Sequence, residues 1–145
     1  MVINVGVPER LRRIQELLPH VSQVSCLGMT ESFGSLCIGK ELTYRFVNDV
    51  IREIAALTPG PYVHVGGDEA HSTRLEDYVA FMERVESIVR SHGKRMIGWE
   101  EVARTKLRRT SVAQHWYDPA LARRAVEQGA KLVMSPSPKA YLDMK

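Results

Sequence analysis

At 145 residues, with 44% hydrophobic and 26% charged positions, the chain can bury a core of its own and is not composed like a disordered segment. Its net charge of +3 is spread over short basic runs such as Arg10–Arg13 and Arg104–Arg109, without the clustered footprint of a nucleic-acid binder. No apolar run approaches the ~20 residues that cross a bilayer, and Cys26 and Cys37 are too few for a disulfide framework or a cysteine metal site.

The opening Met1-Val-Ile-Asn-Val-Gly6 lacks the basic and then apolar stretches of a secretory signal. Pro8–Leu18 has the pattern of a small amphipathic helix, with no role attached to it. From residue 41 the order is regular. Residues 41–57 predict a helix with Leu42, Phe46, Val50, Ile51, Ile54 and Leu57 on its apolar face, stopped by Thr58-Pro-Gly-Pro61. Tyr62–Val65 reads as a strand ended by Gly66-Gly67. Thr73, with Glu76 three residues on, has capping-box spacing for a helix whose apolar face is Tyr78, Phe81, Val85, Ile88 and Val89, closed at Gly93. Arg95–Trp99 and Ser111–Trp116 are further strands. Asp118-Pro119 is an N-cap followed by an N1 proline, opening a helix that ends at Gly129. Lys131–Met134 is a fourth strand, closed by Ser135-Pro-Ser-Pro138.

Strands joined through helices pair in parallel, so the class is α/β. A barrel and an open doubly wound sheet both fit that alternation. The polar and aromatic residues favour a barrel: Asp68-Glu69, Trp99-Glu100, Trp116 and Tyr141-Leu-Asp143 all fall at or just past strand C-termini, the rim where barrel sites are built. Four strands make about half of an eight-stranded barrel and leave open sheet edges, which predicts an incomplete barrel.

The chemistry concentrates in His64-Val-Gly-Gly-Asp-Glu-Ala-His71. Successive residues at a strand end point in different directions, so Asp68 and Glu69 can do different jobs. The two glycines would let a ligand approach the backbone. A carboxyl group walled by apolar surface has a raised pKa and can serve as a general acid. An isolated Asp-Glu pair is usually a solvated loop; Trp99, Trp116 and Tyr141 at the same rim argue otherwise, because indole faces suit the C–H face of a sugar. Metal binding by His64, Asp68, Glu69 and His71 is the chemical competitor, but no His-Glu-x-x-His or Cys/His spacing supports it, and no metal or cofactor is expected. His64 reads as a hydrogen-bonded core or supporting residue and His92 as a favourable charge at a helix end. His20 and His115 carry no signal.

His64-Val-Gly-Gly-Asp68-Glu69 closely resembles the His/Asn-x-Gly-(small)-Asp-Glu motif of glycoside hydrolase family 20, the β-N-acetylhexosaminidases. Phe33–Cys37 with Glu41–Ile54, Gly98-Trp99-Glu100, Gln114-His-Trp116 and Tyr141-Leu-Asp143 continue the resemblance at family-like spacing over residues 31–145. It implies a partial (β/α)8 barrel, roughly strands three or four to seven, acting on glycans that contain N-acetylglucosamine or N-acetylgalactosamine. It also implies a substrate-assisted retaining mechanism. By the resemblance Glu69 is the general acid and base, Asp68 orients the 2-acetamido group, and Tyr141 hydrogen-bonds its oxygen. Trp99 and Trp116 line the pocket, Asp143 accepts sugar hydroxyls, and His64 belongs to the binding set.

The family's strand-one arginine, and the tryptophan and glutamate of its last strand, have no counterpart here, and residues 1–30 stay unassigned. The expectation is a truncated product that is weakly active or inactive, with a non-catalytic carbohydrate-binding remnant as the alternative. Intact mass from the native source should therefore be close to 16.4 kDa; a product of full family length would refute truncation.

Overall fold

The computed structural model describes residues 36, 38–71 and 73–143; Cys26, Cys37, His20, the Pro8–Leu18 segment and most of Phe33–Cys37 lie outside them. The described strands are β1 (Tyr62–His64), β2 (Arg95–Trp99), β3 (Val112–His115) and β4 (Lys131–Met134). They form one sheet in the order β1-β2-β3-β4, every pair parallel. The helices are α1 (Glu41–Leu57), α2 (Leu75–Ser91), α3 (Pro119–Glu127) and the single turn α4 (Ser137–Ala140), with a 3-10 segment at Glu100–Arg104.

Strand order that simply follows the sequence has no switch point, and right-handed crossovers then put every helix on one face of the sheet. The other face is the one that a closing barrel turns inward. His64 on β1 interacts with Gln114 on β3, reaching over the intervening strand β2. Neighbouring strands lie about 4.8 Å apart, so side chains two strands away meet readily on the inside of a curve. The chain is thus a portion of a (β/α) barrel, of class α/β.

The core lies between strands and helices. Val63 and Val65 of the β1 segment, Met96 of β2 and Ala113 of β3 meet Val47 and Ile51 of α1 and Val85 and Val89 of α2. The Val65 N–H still donates to the Ile97 carbonyl at 2.8 Å, which extends the β1 ladder as the sequence pattern predicts.

Helix ends bear out two expectations. The Asp118 carboxylate accepts the Ala120 N–H at 2.8 Å, capping α3. At the end of α2, Gly93 has φ +71° and donates to the Arg90 carbonyl, while the Lys94 N–H reaches the Val89 carbonyl. That is the Schellman closure, and a left-handed residue suits glycine there.

Three expectations are corrected. The buried face of α1 is Thr43, Tyr44, Val47 and Ile51, and Leu57 is 82% exposed. The helix is turned this way because Tyr44 packs on Phe81 of α2 (5.8 Å between centroids), lies under the Arg84 guanidinium and donates to the Ile38 carbonyl. Thr73 does not cap α2. Its N–H closes a turn on the Ala70 carbonyl, the helix starts after Arg74 with no side-chain cap, and Glu76 pairs with Arg74 at 2.5 Å. The Ser135–Pro138 segment turns into α4 rather than staying loop.

β2 is pressed hard against the segment that follows it. A methyl group at Gly98 would collide with the Val102 side chain and stand 3.1 Å from the Gly66 carbonyl oxygen. Gly98→Ala should lower unfolding stability by roughly 1–3 kcal/mol, read as the urea midpoint, with part of the loss recovered in Gly98→Ala/Val102→Ala. An unchanged midpoint in the single variant would show that this contact is not tight.

Candidate active site

All the sequence-predicted site residues fall on the C-terminal rim of the sheet. His64 ends β1. Its Nδ1 accepts the Gly66 N–H at 3.1 Å, so the neutral ring carries its proton on Nε2. His64 is exposed rather than in the core, and its ring meets Trp99, at the end of β2, edge-on at 5.3 Å. Desolvation lowers its pKa, opposed by the interaction with Gln114 and by the Asp68 carboxylate.

Trp116 follows β3 and stacks on Tyr141 beyond α4, with centroids 6.5 Å apart and planes 14° from parallel. The Tyr141 hydroxyl has its pKa raised by desolvation first, then by the carboxylates of Asp68, Asp143, Glu100 and Glu101. It therefore stays protonated and able to donate. Asp68 lies near enough to act electrostatically on His64 and Tyr141, and on buried Tyr78 as well. Asp143 is exposed beside Tyr141.

Glu69 points elsewhere, as neighbouring residues at a strand end should. Its backbone is left-handed (φ +49°), a conformation rare outside glycine and costing on the order of 1 kcal/mol. Its carbonyl accepts the His71 N–H at 2.8 Å. Its side chain is exposed and lines a cavity of about 190 Å³ together with His71, Tyr78, Glu101 and Arg104. That space is smaller than the usual ligand pocket, and none of Asp68, Trp99, Trp116 and Tyr141 lines it.

Gly67 of the diglycine serves packing. A Cβ on Gly67 would meet the Tyr78 hydroxyl, Met82 and Val102 at 3.1–3.3 Å, so its bareness lets the core, not a ligand, close on the backbone. The Tyr78 hydroxyl donates to the Gly67 carbonyl at 2.7 Å. Burial raises its pKa well above the ordinary phenol range, and the charge on Glu101 adds to the shift.

Four side chains that the sequence left without a role support the rim. Glu100 is 1% exposed and its carboxylate accepts from His115 Nδ1 at 2.5 Å and from the backbone N–H groups of Trp116 (2.9 Å), Tyr117 (3.0 Å) and Asp118. His115, which carries no sequence signal, is buried as the partner of Glu100. Gln114 donates to the Ser135 hydroxyl at 3.0 Å. Glu101 is half-buried, and burial raises its pKa against the pull of its own backbone N–H, the Trp116 indole N–H and the Glu69 N–H. Its Oε2 and the Trp116 indole nitrogen are both buried without a hydrogen-bond partner among the described residues. The run Trp99-Glu100-Glu101 at a strand end is the local signal that could have pointed to these carboxylates. Among the described residues no three His, Cys, Asp or Glu side chains gather as a metal site, and no helix is long and apolar enough to cross a membrane.

Residues 3–145 match the family model for the glycosyl hydrolase family 20 catalytic domain, a span that takes in the segment left unassigned from sequence. A beta-N-acetylhexosaminidase of Cellulomonas fimi is 40% identical over 121 residues, covering 81% of this chain and 24% of that protein. A beta-hexosaminidase of Porphyromonas gingivalis is 32% identical over 129 residues, covering 74% of this chain and 16% of its own. Among solved structures, a mutant Streptomyces plicatus beta-hexosaminidase in complex with its product GlcNAc superimposes with a TM-score of 0.75 at 43% identity, over 83% of this chain and 26% of that one. The Streptomyces coelicolor GH20 beta-N-acetylhexosaminidase gives 0.75 at 41% identity, over 83% and 26%. The chain therefore spans about a quarter or less of the length of these relatives.

The His64 environment has a definite pH consequence. Because its pKa is lower folded than unfolded, its share of stability is complete above the ordinary imidazole range and is lost as pH falls through that range. An NMR titration should give a His64 midpoint below that of the same residue in the urea-unfolded chain. An equal or higher midpoint contradicts partial desolvation of the ring beside Trp99.

Proposed function

The chain belongs to glycosyl hydrolase family 20, and on that footing we propose that it carries the acid and acetamide-orienting half of a β-N-acetylhexosaminidase site, acting on terminal N-acetylhexosamine. The observation that carries the proposal is the stacking of Tyr141 on Trp116 at the rim that also bears Asp68, a carboxylate near enough to act on the Tyr141 hydroxyl. A carboxylate, a protonated phenol and a flat indole wall at one place suit an acetamido group. The phenol donates to its oxygen, the carboxylate accepts from its N–H, and the indole covers its methyl.

In the proposed reaction the acetamido oxygen attacks the anomeric carbon as the glycosidic bond breaks. Glu69 gives its proton to the departing oxygen. The resulting oxazolinium ion carries positive charge, which Asp68 stabilises electrostatically. Glu69, now ionised, takes a proton from water as that water opens the ring, so the anomeric configuration is retained and the acid is restored. Trp99 lines the pocket beside His64, and Asp143, exposed next to Tyr141, accepts from sugar hydroxyls.

Hydrolysis of a chromogenic N-acetyl-β-glucosaminide is the direct test. Glu69→Gln should lower kcat by about 10²–10⁴, and Asp68→Asn should also reduce it, because the cation loses its countercharge. Equal rates for wild type and Glu69→Gln would remove Glu69 from the chemistry. Sugar binding without turnover in either would favour a non-catalytic carbohydrate-binding role.

A further inference from the structure

We infer that Glu100 is a positioning residue for the aromatic wall: its buried carboxylate fixes the loop bearing Trp116 and, through that loop, the turn that presents Tyr141. The inference deepens the reading above, since the wall concerned is the one proposed to hold the acetamido group.

Both carboxylate oxygens of Glu100 are used. Oε2 accepts from His115 Nδ1 and the Trp116 N–H, and Oε1 from the N–H groups of Tyr117 and Asp118. Three consecutive backbone amides converging on one anion form a nest, which sets the path of the chain at each of them. Burying a carboxylate costs several kcal/mol unless its acceptor sites are filled, so the loop and the carboxylate hold one another. The constraint continues along the backbone. The Ser137 N–H donates to the Trp116 carbonyl at 2.7 Å, and the Tyr141 N–H donates to the Ser137 carbonyl at 3.2 Å. Tyr141 then stacks back on Trp116. One carboxylate at the end of β2 thereby sets two aromatic residues contributed from beyond β3 and β4. Asp118, the last residue in the nest, caps α3 as well, which ties the loop to its helix.

Glutamine at this position offers one acceptor oxygen and sets an NH₂ group against backbone donors, so the nest should open while the core remains. The chain has two tryptophans, and Trp99→Phe leaves Trp116 as the sole indole reporter. In that background Glu100→Gln should raise acrylamide quenching of Trp116 about twofold or more, and Glu100→Asp, which keeps the charge, should show a smaller rise. The control is Glu86→Gln, which disturbs a different buried carboxylate, bonded to Ser111 and near Arg108. It should lower the melting temperature and leave Trp116 quenching unchanged. Quenching that rises in neither variant, or equally in Glu100→Gln and Glu86→Gln, overturns the inference. Where circular dichroism shows that Glu100→Gln does not fold, Glu100→Asp against the same parent makes the comparison, with no rise overturning it. Fluorescence needs no turnover, so failure of the hydrolysis assay and failure of this inference are separable. In active preparations Glu100→Asp should raise KM more than it lowers kcat.

Discussion

Parallel pairing in sequence order leaves the C-terminal ends of β1–β4 on a single rim, and everything this chain offers chemically depends on that constraint. The register sets His64 opposite Ile97, Trp99 opposite Gln114 and His115 opposite Met134. Residues far apart in sequence are thereby delivered to neighbouring positions with little adjustable backbone between them. His64 and Gln114, two strands apart, are close enough to interact across β2, which the curvature of a barrel sheet favours.

Electrostatics then divides the rim. Asp68 acts electrostatically on His64 and Tyr141, while Glu69, on a left-handed backbone, lines the adjoining cavity of the same rim. Glu100 and Glu101 repeat the division one strand further on. The first is buried and saturated with donors, and the second is half-buried with one oxygen unpartnered. Neighbouring acidic residues are thus set in different surroundings, one member of each pair turned from the other's partners.

Much of this was legible in the sequence. The four strands are short apolar runs bounded by glycine and proline, and their alternation with helices fixes parallel pairing. The Asp118 cap and the Gly93 closure are local chemistry, which local sequence specifies. The face of α1 was not legible, because two apolar stripes share that helix and periodicity cannot say which meets the sheet. Tyr44 settles it through contacts with Phe81 and Arg84, both on α2. The roles of Glu100 and His115 were hidden for the same reason: each partner is some fifteen residues away on the next strand, and a buried carboxylate looks like a solvated one until its donors are found. Of the two glycines before Asp68, Gly67 has its Cβ space taken by the core, whereas a Cβ on Gly66 would meet only the Asp68 carboxylate.

The central claim is that the rim between Asp68, Trp116 and Tyr141 recognises an acetamido sugar. Saturation-transfer NMR on the chain with the methyl β-glycoside of N-acetylglucosamine tests it most directly. The strongest transfer should fall on the acetamido methyl protons and should collapse in Trp116→Ala. Absent transfer, transfer spread evenly over the sugar ring, or a pattern unchanged by Trp116→Ala would contradict it.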